Sequence, residues 1–123
     1  MINECMNLKS LSQNDLFTQT QTAIREERLS TLRVLHLFRE IERRRRYGRH
    51  SSLYELATKE FGYSAAAAHR RIQAMRLLRS LPDYESKLEN GELSLTAAAS
   101  AQSYFQRART PKSIKFRKFT SGA

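Results

Sequence analysis

Apolar residues recur along this chain at the three- and four-residue intervals of a helix. No stretch sustains a period of two with turn residues at its ends, so no sheet is expected and the fold class reads as all-α. Ser12 can cap a helix that opens near Gln13, with Leu11 as a staple residue, and the helical pattern runs to about Tyr47 and stops at Gly48. Its apolar positions include Leu16, Phe17, Ile24, Leu32, Leu35, Phe38 and Ile41. Between Gln19 and Ser30 the stripe thins to Ala23, Ile24 and Leu29, which leaves one long helix, or two with a break near Leu29 to Thr31, both open. A helix of about 35 residues would span roughly 50 Å, more than a compact domain of this size can cover. Part of it would need a partner, and a homodimer through this element is one expectation.

Downstream, Ser51 or Ser52 can cap a second helix, with Glu55 at capping-box spacing from Ser52. Leu53, Leu56, Ala57 and Phe61 share one face, and Gly62 ends the segment. Ser64 then caps a helix over about 65–80 that buries Ala68, Ile72, Met75 and either Leu77 or Leu78, stopping before Pro82. A short helix over 83–89 ends at Asn90-Gly91. Ser94 caps the last, through about Arg107, whose Ala97, Ala98, Ala99 and Ala101 allow a neighbouring helix to come close. The expected organisation is a flexible arm over 1–11, a helical domain over 12–107 and a basic tail over 108–123.

Charge changes this picture from a fold to a partner. The chain of 123 residues carries 22 Lys and Arg against 12 Asp and Glu, a formal net charge of +10. Arg107, Arg109, Lys112, Lys115, Arg117 and Lys118 occupy the last stretch without a single acid, and Arg43, Arg44, Arg45, Arg46 and Arg49 form a second cluster beside His50. Concentrated positive charge suits a polyanion, because neutralising phosphates releases condensed counterions. Hydrophobic residues make up 40%, enough for a modest core, so disorder throughout is not expected. No apolar run approaches the roughly 18 residues of a membrane span, and the first residues lack a signal-peptide layout. A single cysteine, Cys5, rules out an internal disulfide and fits a reducing interior, so a cytoplasmic, nucleoid-associated protein is expected.

Two short helices joined by Phe61-Gly62-Tyr63-Ser64 have the spacing of a helix-turn-helix, placed at about 51–79. Ala68 and Ile72 fall six and ten positions after Gly62, where the second helix crosses the first. Ala57 lies five before it, one more than the usual interval, so the first helix or its exit must differ slightly. On this reading Ser64, Ala65, Ala66, His69, Arg70 and Gln73 face the bases, with Arg70 suited to guanine and Gln73 to adenine. Arg71, Arg76 and Arg79 either join the two basic clusters as phosphate contacts or form ion pairs. The tip from Ala65 to Ala68 carries no hydrogen-bonding side chain, so base selection should be modest. A helical hairpin of purely structural use has the same spacing.

Catalysis finds no support. His36, His50 and His69 lie far apart without metal-ligand spacing, Cys5 has no CxxC partner, and neither a phosphate-binding glycine loop nor a GxSxG elbow occurs. No cofactor, metal or small-molecule substrate is indicated, and the protein does not read as an enzyme.

Residues 29–106 resemble the N-terminal helical region of bacterial HNH endonuclease family proteins. The resemblance is carried by the run from Leu35 to Arg44, by Ser51-Ser52-Leu53-Tyr54-Glu55, by Gly62-Tyr63-Ser64 and by the run from Ala66 to Ala74. Leu81-Pro82 and Gly91-Glu92-Leu93-Ser94-Leu95 extend it. The hairpin is also similar to the helix-turn-helix of ParB-type partition proteins. These resemblances imply a helical fold and double-stranded DNA as partner. Family members carry a nuclease module with a His-Asn-His metal site. Residues 107–123 contain no histidine, cysteine or acid, so nuclease activity is not carried over. The expectation is a protein that binds duplex DNA as a regulator or as a stand-alone relative of these N-terminal domains, or the remnant of a longer nuclease. Its alternative is a protein-interaction module built on the long first helix, with no direct nucleic-acid role; RNA binding ranks behind both for want of an aromatic-lined sheet.

Overall fold

The computed structural model describes residues 8–109, and these are all-α. After a 3₁₀ turn at Leu8–Ser10, helix α1 runs unbroken over Gln13–Arg44. Helix α2 opens at Leu53–Glu55 and continues as a π turn over Leu56–Glu60. Helix α3 spans Ala65–Ser80, a 3₁₀ turn at Pro82–Tyr84 leads into α4, Glu85–Asn90, and α5 spans Leu95–Arg109.

Local chemistry sets most of these starts. The hydroxyls of Ser12, Ser52, Ser64 and Ser94 each accept the backbone N–H three residues on, at 3.0–3.1 Å, as side-chain caps do. Glu55 accepts the N–H of Ser51, one residue before the cap, at 2.8 Å, and not that of Ser52 as a capping box would. The break considered near Leu29 to Thr31 does not occur: α1 stays helical across it. The helix also ends earlier than Gly48. Arg45 adopts a left-handed backbone, φ 54°, and its N–H donates to the carbonyls of Ile41 and Glu42. That closure takes up two of the last four carbonyls of α1 before the glycine is reached.

The extra residue between Ala57 and Gly62 has a structural counterpart in the π turn. There the Phe61 N–H donates to Leu56 O at 3.1 Å, five residues back rather than four. Gly62, at φ 82°, then turns the chain into Tyr63 and Ser64.

The core lies where α3 is enclosed by its neighbours. Leu32, Leu35 and Phe38 come from α1, Leu53, Leu56 and Ala57 from α2 and its π turn, Leu88 from α4 and Ala98 from α5. From α3 come Ala68, Ile72, Ala74, Met75, Leu77 and Leu78, so both candidate leucines are buried. Ala98 and Ala99 are buried where α5 meets α3, the most extensive helix pair, and Ala97 and Ala101 stay at least partly exposed. Phe38 stacks on Phe61 with centroids 6.4 Å apart and takes Tyr63 edge-on at 6.2 Å. The His36 ring meets Glu85 at 3.0 Å and ties α4 to α1. Among the described residues, no helix is long and apolar enough to cross a membrane.

Candidate nucleic-acid interface

The hairpin of α2 and α3 forms with the spacing the sequence implies, and Ala57 and Ala68 are fully buried at its contact. Its second helix does not stand clear of the body. Seven of its sixteen residues are buried, packed by α1, α2 and α5, so α3 is a central helix and not a free reading head.

Gln73 requires a correction. It was expected to face bases, yet it is 5% exposed. Its side-chain amide donates to Ser103 Oγ at 2.9 Å and Gln106 Oε1 at 3.3 Å, both on α5. A buried amide costs stability unless it is paired, and these partners, some thirty residues away in sequence, make its burial tolerable. Arg70 is half-buried. Arg71 turns back over the Tyr63 ring, 4.7 Å from its centroid, and donates to Ala67 O at 3.1 Å. At its start α3 leaves Ser64, Ala65, Ala66 and then His69 exposed, and at its end Arg79 and Ser80. The Ser64 hydroxyl is already engaged as the cap.

Positive charge gathers instead at the far end of α1. Glu42, only 17% exposed at its side chain, accepts from Arg76 Nη2 at 2.9 Å and from Arg79 Nη1 at 2.9 Å. Burial acts to raise the Glu42 carboxyl, and the hydrogen bonds and charges of Arg76 and Arg79 outweigh it, so its pKa falls below the ordinary value. Arg76 is therefore anchored inward, with Nη1 also donating to Gln73 Oε1 at 3.4 Å. Neither Glu42 nor these arginines could be paired from the sequence, since 34 and 37 residues separate them.

Around this anchor lies an open groove of about 620 Å³, lined by Glu42, Arg43, Arg45, Tyr47, Arg76 and Arg79, with Gln102 and Gln106 of α5. Arg76 and Arg79 hold the Glu42 carboxylate, while Arg43, which bonds Glu40, and Arg45 line the wall. A second groove of about 390 Å³ shares Glu42, Tyr47, Arg76 and Gln106 with it and extends to Tyr54 and His69. The exposed tip residue His69 and the basic groove consequently belong to one face.

The arginine cluster divides by partner. Arg43 and Arg44 both donate to Glu40, at 2.6 Å and 2.7 Å, and remain largely exposed. Those two hydrogen bonds hold the Glu40 carboxyl at about 2. Arg45, Arg46 and Arg49 are exposed on the turn after α1 and form no ion pair with any described residue. His50, at the end of that turn, contacts Glu60 at 3.2 Å and Glu55 at 3.6 Å, which holds the turn against α2. Arg107 is exposed on α5 and Arg109 ends that helix. Lys112, Lys115, Arg117 and Lys118 lie outside the described residues, as do most of the arm and the rest of the tail.

Among the described residues no three His, Cys, Asp or Glu side chains group as metal ligands would. Comparison with known proteins found no matching family model, no similar curated protein and no similar solved structure. The fold and the face define an all-α domain with one basic groove, and the functional reading rests on these residues.

Proposed function

We propose that this domain binds the phosphate backbone of double-stranded DNA through the face formed by the end of α1, the turn after it and the groove between α3 and α5. The observation that carries this reading is the groove lined by Arg43, Arg45, Arg76 and Arg79, in which Arg76 and Arg79 share one carboxylate, Glu42. Arg79, exposed at its side chain, reaches Glu42 through Nη1, which leaves other N–H groups of a planar guanidinium for phosphate oxygens. Arg46 and Arg49 on the turn after α1, and Arg107 on α5, add exposed charge.

Backbone contacts supply affinity and orientation without reading sequence. Base selection in this reading falls to the short tip of α3, where Ala65 and Ala66 offer only methyl contacts and His69 one ring. The domain therefore acts as a weakly selective DNA-binding unit. Fluorescence anisotropy with duplex DNA, single-stranded DNA and RNA of matched length tests this. Preferential duplex binding that varies little among unrelated sequences is the expected result, and no binding at low salt contradicts it.

A second reading, a protein-interaction module, is favoured by a different observation: the first half of α1 projects from the body with every residue from Ser12 to Glu27 exposed.

A further inference from the structure

We propose that the first half of α1 is a self-association surface, which pairs antiparallel with the same segment of a second copy and crosses it at Thr20. Leu16, Phe17 and Ile24 lie on that half with 39%, 57% and 39% of their surface exposed. They are not scattered. Phe17, Ile24, Thr31 and Phe38 recur every seventh residue, so they follow one line along the helix with only slight drift. Phe38 on this line is a core residue, 3% exposed. The apolar stripe is the core face of α1, continued past the point where the body ends.

That continuity fixes the register. The body covers this face from Arg28 onward, since Arg28 and Thr31 are half-buried and Leu32 is buried. A second helix laid on the stripe can therefore occupy only residues 13–27, whose midpoint is Thr20. Parallel pairing would bring both bodies to the same end and the same face, where they collide. Antiparallel pairing sends them to opposite ends. About Thr20 the stripe reads nearly the same in both directions: Leu16 meets Ile24, and Thr20 meets itself. The segment also carries Asp15, Glu26 and Glu27 against Arg25, which makes it an acidic stretch in a chain of net charge +10. Contact there keeps the basic faces of the two copies apart.

Fifteen helical residues are about 22 Å long, too short to bury the roughly 1,200 Å² of a stable complex, so the dimer is reversible and concentration-dependent. If the DNA reading holds, on which this one consequence rests, the pair also sets a spacing. Thr20 and Glu42 are 22 residues apart in one helix, about 33 Å, so two basic grooves stand about 66 Å apart along the pair, near two turns of duplex.

Sedimentation velocity of the full chain, without nucleic acid and over roughly 1 to 500 µM, tests the association. A shift from monomer to dimer is expected, and the double variant Leu16→Glu, Ile24→Glu should stay monomeric with the circular dichroism of the dilute native chain. Because both sites are exposed, folding should survive the change. In a Cys5→Ser background, Thr20→Cys should form a disulfide-linked dimer on mild oxidation, whereas Gln13→Cys, about 21 Å from its copy in the antiparallel register, should not. A native chain that stays monomeric throughout, a dimer retained in the double variant, or equal cross-linking at Gln13 and Thr20 would each overturn the proposal. None of these readouts involves DNA, so failure here is separable from failure of the DNA reading.

Discussion

Glu42 and Arg76, on two different helices, meet through Oε1 and Nη2 at 2.9 Å, and Arg79 closes on the same carboxylate from the next turn of α3. Arg76 also reaches Gln73, which reaches Ser103 and Gln106, so one chain of polar contacts joins α1, α3 and α5. The anchor holds the helices together and at the same time sets the walls of the basic groove.

Glu42→Gln separates those two roles. Charge-assisted hydrogen bonds from two guanidiniums weaken, and the domain should lose about 1–3 kcal/mol of stability. With the groove's acid gone, affinity for duplex DNA should rise. The pH dependence has a definite sign: the folded-state carboxyl lies below its unfolded value, so its stabilisation is present above that value and is lost as pH falls through the folded one. Thermal melts between pH 7 and pH 3 should show a shallower acid limb in the variant. An unchanged melting temperature together with unchanged affinity would contradict both roles.

Gln73→Ala addresses the interior. Removing the amide leaves Ser103 and Gln106 without their partner, at a cost of about 1–3 kcal/mol, measurable by urea unfolding. The ranking of duplex sequences should not move, because the side chain is enclosed. A changed ranking with unchanged stability would restore it as a base contact.

These two residues also show what could be read in advance. Four serine caps depend on atoms three residues apart; Ser12, Ser64 and Ser94 were legible from spacing, while Ser51 and Ser52 were both open and the cap falls on Ser52. The surplus residue before Gly62 likewise signalled an irregular exit from α2, which is the π turn. Gln73 was misplaced because a polar residue on an amphipathic helix ordinarily faces water, and its partners on α5 leave no local trace. The end of α1 was misplaced for a related reason. The left-handed closing position falls on Arg45, where glycine is the usual occupant, while Gly48, φ 64°, serves the following turn. The Glu42 anchor is wholly a product of the tertiary fold.

Arg45→Gly gives opposite signs in two assays. Glycine adopts the left-handed position without a Cβ clash, so stability should rise by about 0.5–1 kcal/mol. The same change removes one guanidinium from the groove rim, so affinity for duplex DNA should fall for every sequence alike. Chemical denaturation and anisotropy on one preparation check both, and a fall in stability would contradict the assigned backbone role.

The most direct measurement is the salt dependence of duplex binding by the native chain and by the variant Arg45→Ala, Arg46→Ala, Arg49→Ala. With about five phosphates neutralised, log K for the native chain should fall against log salt with a slope near −4.5, and the triple variant should lose about 0.9 of that slope for each contact removed. Melting temperatures of the two proteins should agree, since these three side chains are exposed. A native slope near zero, or a variant indistinguishable from the native chain, would show that this basic face does not hold a duplex.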